Sequence, residues 1–191
     1  EKVTLLTIIG QKEEYLKFIK NKLNKNINLK YINKKDSPTI VKKRFLDSVS
    51  NNKVLGVYKL NDDQLNLKDE KLFSETLKEE LPKYDLVIVS DYGHGFISRK
   101  SANLICRYSK SLSLNAQINS SNIGYHSMKN YTNINCVIIN EKEIRHELRD
   151  RNSNIEDLMK KLSSEQKIKN LIVTRGSLGL ILYNSKKDNF D

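Results

Sequence analysis

The chain opens with an apolar run, Val3–Ile9, closed by Gly10, the pattern of a strand buried on both faces. From Lys12 to Leu23, the apolar positions Tyr15, Phe18, Ile19 and Leu23 recur at helical spacing. A short segment, Asn28–Ile32, reads as a second strand, and Pro38 then breaks the pattern. Thr39–Asp47 and Lys53–Leu60 are rich in β-formers and are separated by the turn-like Ser50-Asn51-Asn52, so they predict a hairpin standing off the main sheet. Beyond Asp62 the period changes. Leu72, Phe73, Leu77 and Leu81 mark one helix face, ended by Pro82. Strands follow at Asp85–Ser90, Ser111–Ile118, Cys136–Ile139, Leu171–Thr174 and Leu180–Tyr183. The helices between them start from an N-cap at Ser98, span Glu141–Arg149, and carry the stripe Ile155, Leu158, Met159 and Leu162. Strands alternating with helices predict an α/β domain with a mainly parallel sheet.

Composition narrows the class. With 191 residues, one core with one excursion is the simplest organisation, and no disulfide or metal staple is needed. Seven glycines, two prolines and no sustained heptad exclude collagen, low-complexity and coiled-coil classes, and no apolar run has the roughly 20 residues of a membrane helix. The net charge of +11 comes from lysines scattered from Lys2 to Lys187 among Asp and Glu. It predicts a diffuse basic surface rather than a specific nucleic-acid site. Cys106 and Cys136 are isolated, which suggests a reducing compartment, the cytoplasm.

Ligands of open α/β sheets bind beyond the carboxyl ends of the strands. Four successive strands here run into polar or glycine-bearing clusters: Asp91-Tyr92-Gly93-His94-Gly95, Asn115-Ala116-Gln117-Ile118-Asn119, Asn140-Glu141-Lys142-Glu143 and Thr174-Arg175-Gly176-Ser177-Leu178-Gly179. Asp91 can accept hydroxyl hydrogen bonds or cap a turn, and Gly93 allows close backbone approach. Asn115 and Gln117 offer amide groups suited to a polyol or a phosphate. Asn140 with Glu143 can place a hydrated Mg²⁺ near phosphates, or can simply start a helix. Thr174 and Gly176 offer a hydroxyl and backbone amides to a nucleotide, or form a plain turn. Walker A, GxGxxG, nucleophile-elbow and HExxH patterns are absent. His94, His126 and His146 read as exposed or capping groups, and Arg145, Arg149 and Arg151 as a solvated helix end.

In this order, TIVKKRFLDSVSNNKVLGVYKLNDD, DLVIVSDYGHGFIS, LNAQINSSNIGYHSMKNY, INEKEIR and LIVTRGSLGLILY resemble the carbohydrate kinases of the PfkB/ribokinase family. The subgroup most similar is that of heptose 7-phosphate kinase, which includes kinase domains fused to nucleotidyltransferases. The resemblance implies a ribokinase-like three-layer αβα fold over residues 1–191, with a β-lid at about 39–62 that pairs two subunits in some members. It implies transfer of the ATP γ-phosphoryl group to a sugar or sugar-phosphate hydroxyl. By the same resemblance Arg44, Asp91, Gly93, Asn115 and Gln117 are substrate-side residues. Asn140, Glu143, Thr174, Gly176 and Gly179 are nucleotide-side residues, with Glu143 holding Mg²⁺ through water. His94 stands where the subgroup has lysine. The family's GAGD motif, with its catalytic aspartate, and its N-terminal glycine-rich segment are missing, so the expectation is the middle of a kinase domain that does not turn over alone. A non-catalytic nucleotide- or sugar-binding module is the alternative.

Overall fold

The structure is a computed structural model describing residues 2–118 and 126–191. It forms two compact units: the chain up to Phe73 together with His94–Phe96, and Ser74–Gly93 together with Ile97–Asp191.

In the first unit, β1 (Val3–Gly10) and β2 (Ile27–Lys34) pair in parallel, in register from Val3↔Ile27 to Gly10↔Lys34. Parallel neighbours need a crossover, supplied here by α1 (Leu16–Lys22). The expectation that β1 is buried on both faces holds only at its end. Ile9 is buried, but Val3 is 43% exposed, because β2 is the one strand that flanks β1 among the described residues. α1 starts later than its periodicity predicts. Glu13 and Tyr15 have positive φ, and the turn they form is fastened by Thr39 Oγ1 donating to the Glu14 carbonyl (2.8 Å). Leu16 is consequently the buried residue, while Phe18 of the predicted stripe is 60% exposed.

The predicted hairpin is present as β3 (Val41–Leu46) and β4 (Lys53–Lys59), antiparallel and paired only with each other among the described residues. Strand alternation puts Lys42, Arg44, Gly56 and Tyr58 on one face. Val41, Lys43, Phe45, Leu55 and Val57 fall on the other. The boundary between the units falls within α2 (Leu67–Glu80).

The second unit is built on β5 (Val87–Asp91), β6 (Leu112–Ala116), β7 (Cys136–Asn140), β8 (Asn170–Thr174), β9 (Leu180–Asn184) and β10 (Asn189–Phe190), hydrogen-bonded in that order. The first four are parallel; β9 and β10 return antiparallel at one edge. Crossover helices are α3 (Arg99–Tyr108) between β5 and β6, and α4 (Glu141–Leu148) with α5 (Ile155–Gln166) between β7 and β8. The Ser98 hydroxyl caps α3 by accepting from the Ser101 amide, as its position predicts. Leu112, Leu114, Val137, Ile139, Leu171 and Val173 are buried, and the α5 stripe Ile155, Leu158, Met159 and Leu162 is buried with them. Asn119 and the residues that follow it to 125, part of the third motif quoted above, lie outside the described residues. Among the described residues no helix is long and apolar enough to cross a membrane, and both cysteines are free thiols.

Candidate functional site at the strand ends

Parallel pairing brings the polar strand ends to one edge. Ser90 and Asp91 pair with Asn115 and Ala116, and Asn140 pairs with Thr174. Eight of the expected site residues therefore belong to this edge of the second unit: Asp91, Gly93, Asn115, Gln117, Asn140, Glu143, Thr174 and Gly176, with Gly179 closing the last turn. Arg44 belongs to the first unit, on the exposed hairpin.

Asp91 is buried, and both carboxylate oxygens are engaged. Oδ1 accepts the Gly93 amide (3.0 Å) and Oδ2 accepts the Tyr131 hydroxyl (2.7 Å). Tyr131 is completely buried, and desolvation followed by the Asp91 charge drives its phenol far above the ordinary tyrosine range. It therefore acts as a fixed donor. His126 Nε2 is 3.9 Å from Asp91 Oδ1, and is buried without a hydrogen-bond partner. The expectation of exposed histidines is thus corrected at His126 and also at His94, which is 7% exposed. A lone histidine in a polar string looks solvent-facing, but here each one is enclosed by residues distant in sequence.

Asn115 Nδ2 donates to the Ile138 carbonyl (2.7 Å), tying β6 to β7, and the Gln117 amide donates to the Asp91 carbonyl (2.8 Å). Asn140 and Glu143 form a reciprocal capping box. Asn140 Oδ1 accepts from the Glu143 amide (2.9 Å), and Glu143 Oε2 accepts from the Asn140 amide (2.8 Å). Glu143 Oε1 also accepts from the Ile118 amide (3.3 Å), so this buried carboxylate links the ends of β6 and β7. The helix-start reading and the ligand reading coexist: each oxygen keeps a lone pair, and the same contacts hold the carboxylate in place. Among the described residues no three His, Cys, Asp or Glu side chains group to hold a metal ion directly. A Mg²⁺ that keeps its waters needs only one such carboxylate plus phosphates, and Glu143 fits that donor set.

Thr174 is exposed and its hydroxyl donates to the Ile139 carbonyl (3.5 Å). Gly176 and Gly179 have positive φ, and open space surrounds the position a Cβ would take at each. The strand end is thus bare backbone bordered by the exposed Leu178. Sequence reasoning missed its anchor. Glu141 Oε2 accepts from Arg175 Nε (2.9 Å), while Oε1 accepts from Arg145 Nε (3.0 Å) and a second guanidinium nitrogen (2.8 Å). The two guanidiniums, Arg145 first, hold the Glu141 carboxyl below its ordinary value. Arg145 also donates to the Arg151 and Ser153 carbonyls, so it is a buttress rather than part of a solvated face.

A second polar cluster lies within the first unit. Lys34, at the carboxyl end of β2, is buried with its ammonium donating to the Asn61 (2.8 Å) and Asp63 carbonyls. Burial lowers its pKa against the opposing pull of Asp63 and Asp62. His94 Nδ1 is 2.7 Å from Asp62 Oδ1 and its Nε2 is 2.6 Å from Lys42 Nζ. Carboxylate and ammonium on opposite sides assign the ring proton to Nδ1, leaving Nε2 to accept from Lys42. A recess no larger than a water molecule is lined by Gly10, Lys34, Asn61 and His94. The strand-end rule, applied to β1 and β2 as well, would have singled out Gly10 and Lys34.

No curated protein matches the chain in sequence. In structure it is similar to ribokinase from Giardia lamblia, with a TM-score of 0.72, 14% identity, and coverage of 98% of this chain and 58% of that one. Escherichia coli phosphofructokinase-2 in complex with fructose-6-phosphate gives a TM-score of 0.70 at 14% identity, covering 100% of this chain and 61% of that one. The tetrameric inhibited form of the same enzyme gives 0.71 at 14% identity, with the same coverages. The chain thus spans about three fifths of the length of these structures, and the likeness establishes a ribokinase-like α/β fold. A family model described as pfkB family carbohydrate kinase matches residues 1–190, and on that match the chain belongs to the pfkB family of carbohydrate kinases.

Proposed function

We propose that this chain is the nucleotide- and acceptor-binding part of a sugar kinase that transfers the ATP γ-phosphoryl group to a hydroxyl of a sugar or sugar phosphate. The observation that carries the reading is the alignment of Asp91, Asn115, Asn140 with Glu143, and Thr174 along one edge of a parallel sheet in a pfkB-family chain. Asp91, held by Tyr131 and Gly93, orients acceptor hydroxyls, with Asn115 and Gln117 beside it in the sequence of strand ends. Thr174, Gly176 and Gly179 take the nucleotide against open backbone. Glu143 would hold Mg²⁺ through water, and that ion would offset phosphate charge during transfer. Arg44 is assigned to the acceptor. The quoted motifs favour the heptose 7-phosphate kinase-like subgroup, with His94 in place of its lysine. No GAGD stretch occurs in the 191 residues, so the base expected there is not supplied by them, and we expect binding without turnover.

Fluorescence titration with MgATP tests the assignment. Asn140→Ala and Glu143→Gln should weaken binding roughly 10-fold or more, the scale of losses at groups that orient metal ligands. Glu143→Gln keeps one amide oxygen for the capping box, and a melting curve checks that each variant folds. Folded variants that bind MgATP like the parent chain would remove both residues from the site. Steady ATP hydrolysis or sugar phosphorylation by the 191-residue chain would refute the expected inactivity.

The apolar face of the hairpin supports a partner reading. Phe45 and Leu55 are cross-strand neighbours, each about half exposed, with Val57 beyond them. We assign this face to a second copy of the chain, in line with the oligomeric phosphofructokinase-2. Sedimentation should show a dimer that Phe45→Lys converts to monomer. A monomeric parent chain at tens of micromolar would end the idea.

A further inference from the structure

Strand register brings two charged residues together just beyond the sheet edge. Asn140 pairs with Thr174, so the next residues, Glu141 at the start of α4 and Arg175, stand side by side. The Arg175 backbone is fixed by its turn: its amide donates to the Gly179 carbonyl (2.8 Å), and its carbonyl accepts from the Leu178 amide (3.2 Å). The side chain is held by one nitrogen. Arg175 Nε donates to Glu141 Oε2 (2.9 Å), and among the described residues its two terminal nitrogens meet no acceptor. The side chain stays 28% exposed while held in this way. Its neighbours are the groups assigned to the nucleotide and Mg²⁺: Glu141 lies between Asn140 and Glu143 in sequence, and Arg175 between Thr174 and the open backbone at Gly176.

A guanidinium presents five N–H donors in one plane. With Nε taken by Glu141, the edge carrying the two terminal nitrogens is left over, and that edge matches two oxygens of a phosphate. Glu141 does not neutralise the group. Its Oε1 accepts from Arg145 Nε (3.0 Å) and Nη2 (2.8 Å), so two guanidiniums share one carboxylate and the trio keeps a net positive charge. Arg145 is committed elsewhere as well, to the Arg151 and Ser153 carbonyls, which leaves Arg175 as the member with donors to spare. A purely structural ion pair fastening α4 to the end of β8 would use the Nε contact and leave that edge idle.

We propose that Arg175 binds a phosphate of the nucleotide through its two terminal nitrogens, and that Glu141, backed by Arg145, is the positioning residue that aims it. The proposal rests on the kinase reading above and adds two residues to its nucleotide side.

Calorimetric titration of the 191-residue chain with MgATP and with magnesium tripolyphosphate, at about 0.15 M salt so that diffuse charge is screened, tests this. Arg175→Ala should weaken both roughly 10-fold or more, the effect of losing charged hydrogen bonds. Arg175→Lys keeps the charge without the planar fork and should lose most of the same affinity. The Glu141 variants separate positioning from charge. Coulomb forces alone make removal of a carboxylate beside a phosphate favourable to binding. Glu141→Ala should instead weaken MgATP binding roughly 5-fold, the scale of coupling between residues in contact. Glu141→Gln keeps an oxygen for Arg175 Nε and should bind at least as tightly as the parent chain. In the Arg175→Ala background, Glu141→Ala should bring no further loss. Lys161→Ala removes an exposed charge from α5 and should leave binding unchanged, and melting curves check that every variant folds. Tighter binding by Glu141→Ala, a Glu141→Ala loss that persists without Arg175, or equal weakening by Lys161→Ala would overturn the proposal. MgATP bound alike by the parent chain and Arg175→Ala sinks this proposal alone; no MgATP binding by the folded parent chain sinks the kinase reading and this proposal with it.

Discussion

Gly95→Ala should lower the stability of the chain by about 3 kcal/mol or more, read as a shift of the urea midpoint. Two costs add. The residue has φ +73°, where an L side chain is strained by about 1–2 kcal/mol. A Cβ built there would also lie 2.0 Å from the Asp63 carbonyl oxygen and 2.5 Å from that of Asp62, and overpacking typically costs about 1–3 kcal/mol. Those carbonyls cannot simply yield. The Asp63 carbonyl accepts from the buried Lys34, and the Asp62 side chain holds His94. Gly176→Ala is the control, since φ is +61° there and nothing lies within 4 Å of the added carbon. It should cost about 1 kcal/mol, from the backbone alone. Equal losses at the two positions would mean that the close approach at Gly95 relaxes freely, and the rigid collar inferred around Lys34 would have to be given up.

Tyr131→Phe should cost about 2 kcal/mol and Asp91→Ala about 3 kcal/mol, with the double variant well short of their sum. Removing the hydroxyl leaves Asp91 Oδ2 buried without its donor, and removing the carboxylate strands both the Tyr131 hydroxyl and the Gly93 amide. Each orphaned buried group costs about 1–3 kcal/mol, more when charged, so shared partners make the losses non-additive. Denaturant unfolding of the two single variants and the double variant measures the coupling. Strict additivity would show that the 2.7 Å contact carries no energy. On the kinase reading, Tyr131→Phe should also weaken acceptor binding more than MgATP binding, because it loosens Asp91 and leaves the capping box of Asn140 and Glu143 intact.

Local patterning was a good guide wherever neighbouring residues decide the outcome. The α5 stripe, the Ser98 cap, the hairpin and the strands β5–β9 follow from periodicity and capping chemistry, which act within a few residues. Failures occurred where a distant residue intervened. Thr39 and Ser37 fasten the turn before α1, delaying the helix and exposing Phe18. β1 was read as buried throughout because an apolar run does not reveal how many neighbours it will have. The strand-end rule placed Asp91, Asn140, Glu143 and Thr174 at one edge of the sheet, as the register has them. It gave no hint that Tyr131 would donate to Asp91 from forty residues away, or that Arg175 and Arg145 would share Glu141.

By itself the sequence determined the α/β class, the order of elements, and which residues stand at the carboxyl ends of parallel strands. It also carried the motif order of the pfkB family. Those properties are written in spacing, and spacing is local. Only the tertiary structure decided what each end residue is bonded to: Glu143 to the amides of Asn140 and Ile118, Asp91 to Tyr131, His94 to Asp62 and Lys42. It also gathered the basic residues of the hairpin around Tyr58, out of a charge excess that looked evenly spread along the chain. The physical reason is that hydrogen bonds act only at about 3 Å, and Coulomb forces between side chains are screened over about 10 Å. They are set by which segments the fold brings together, and one-dimensional order leaves that open.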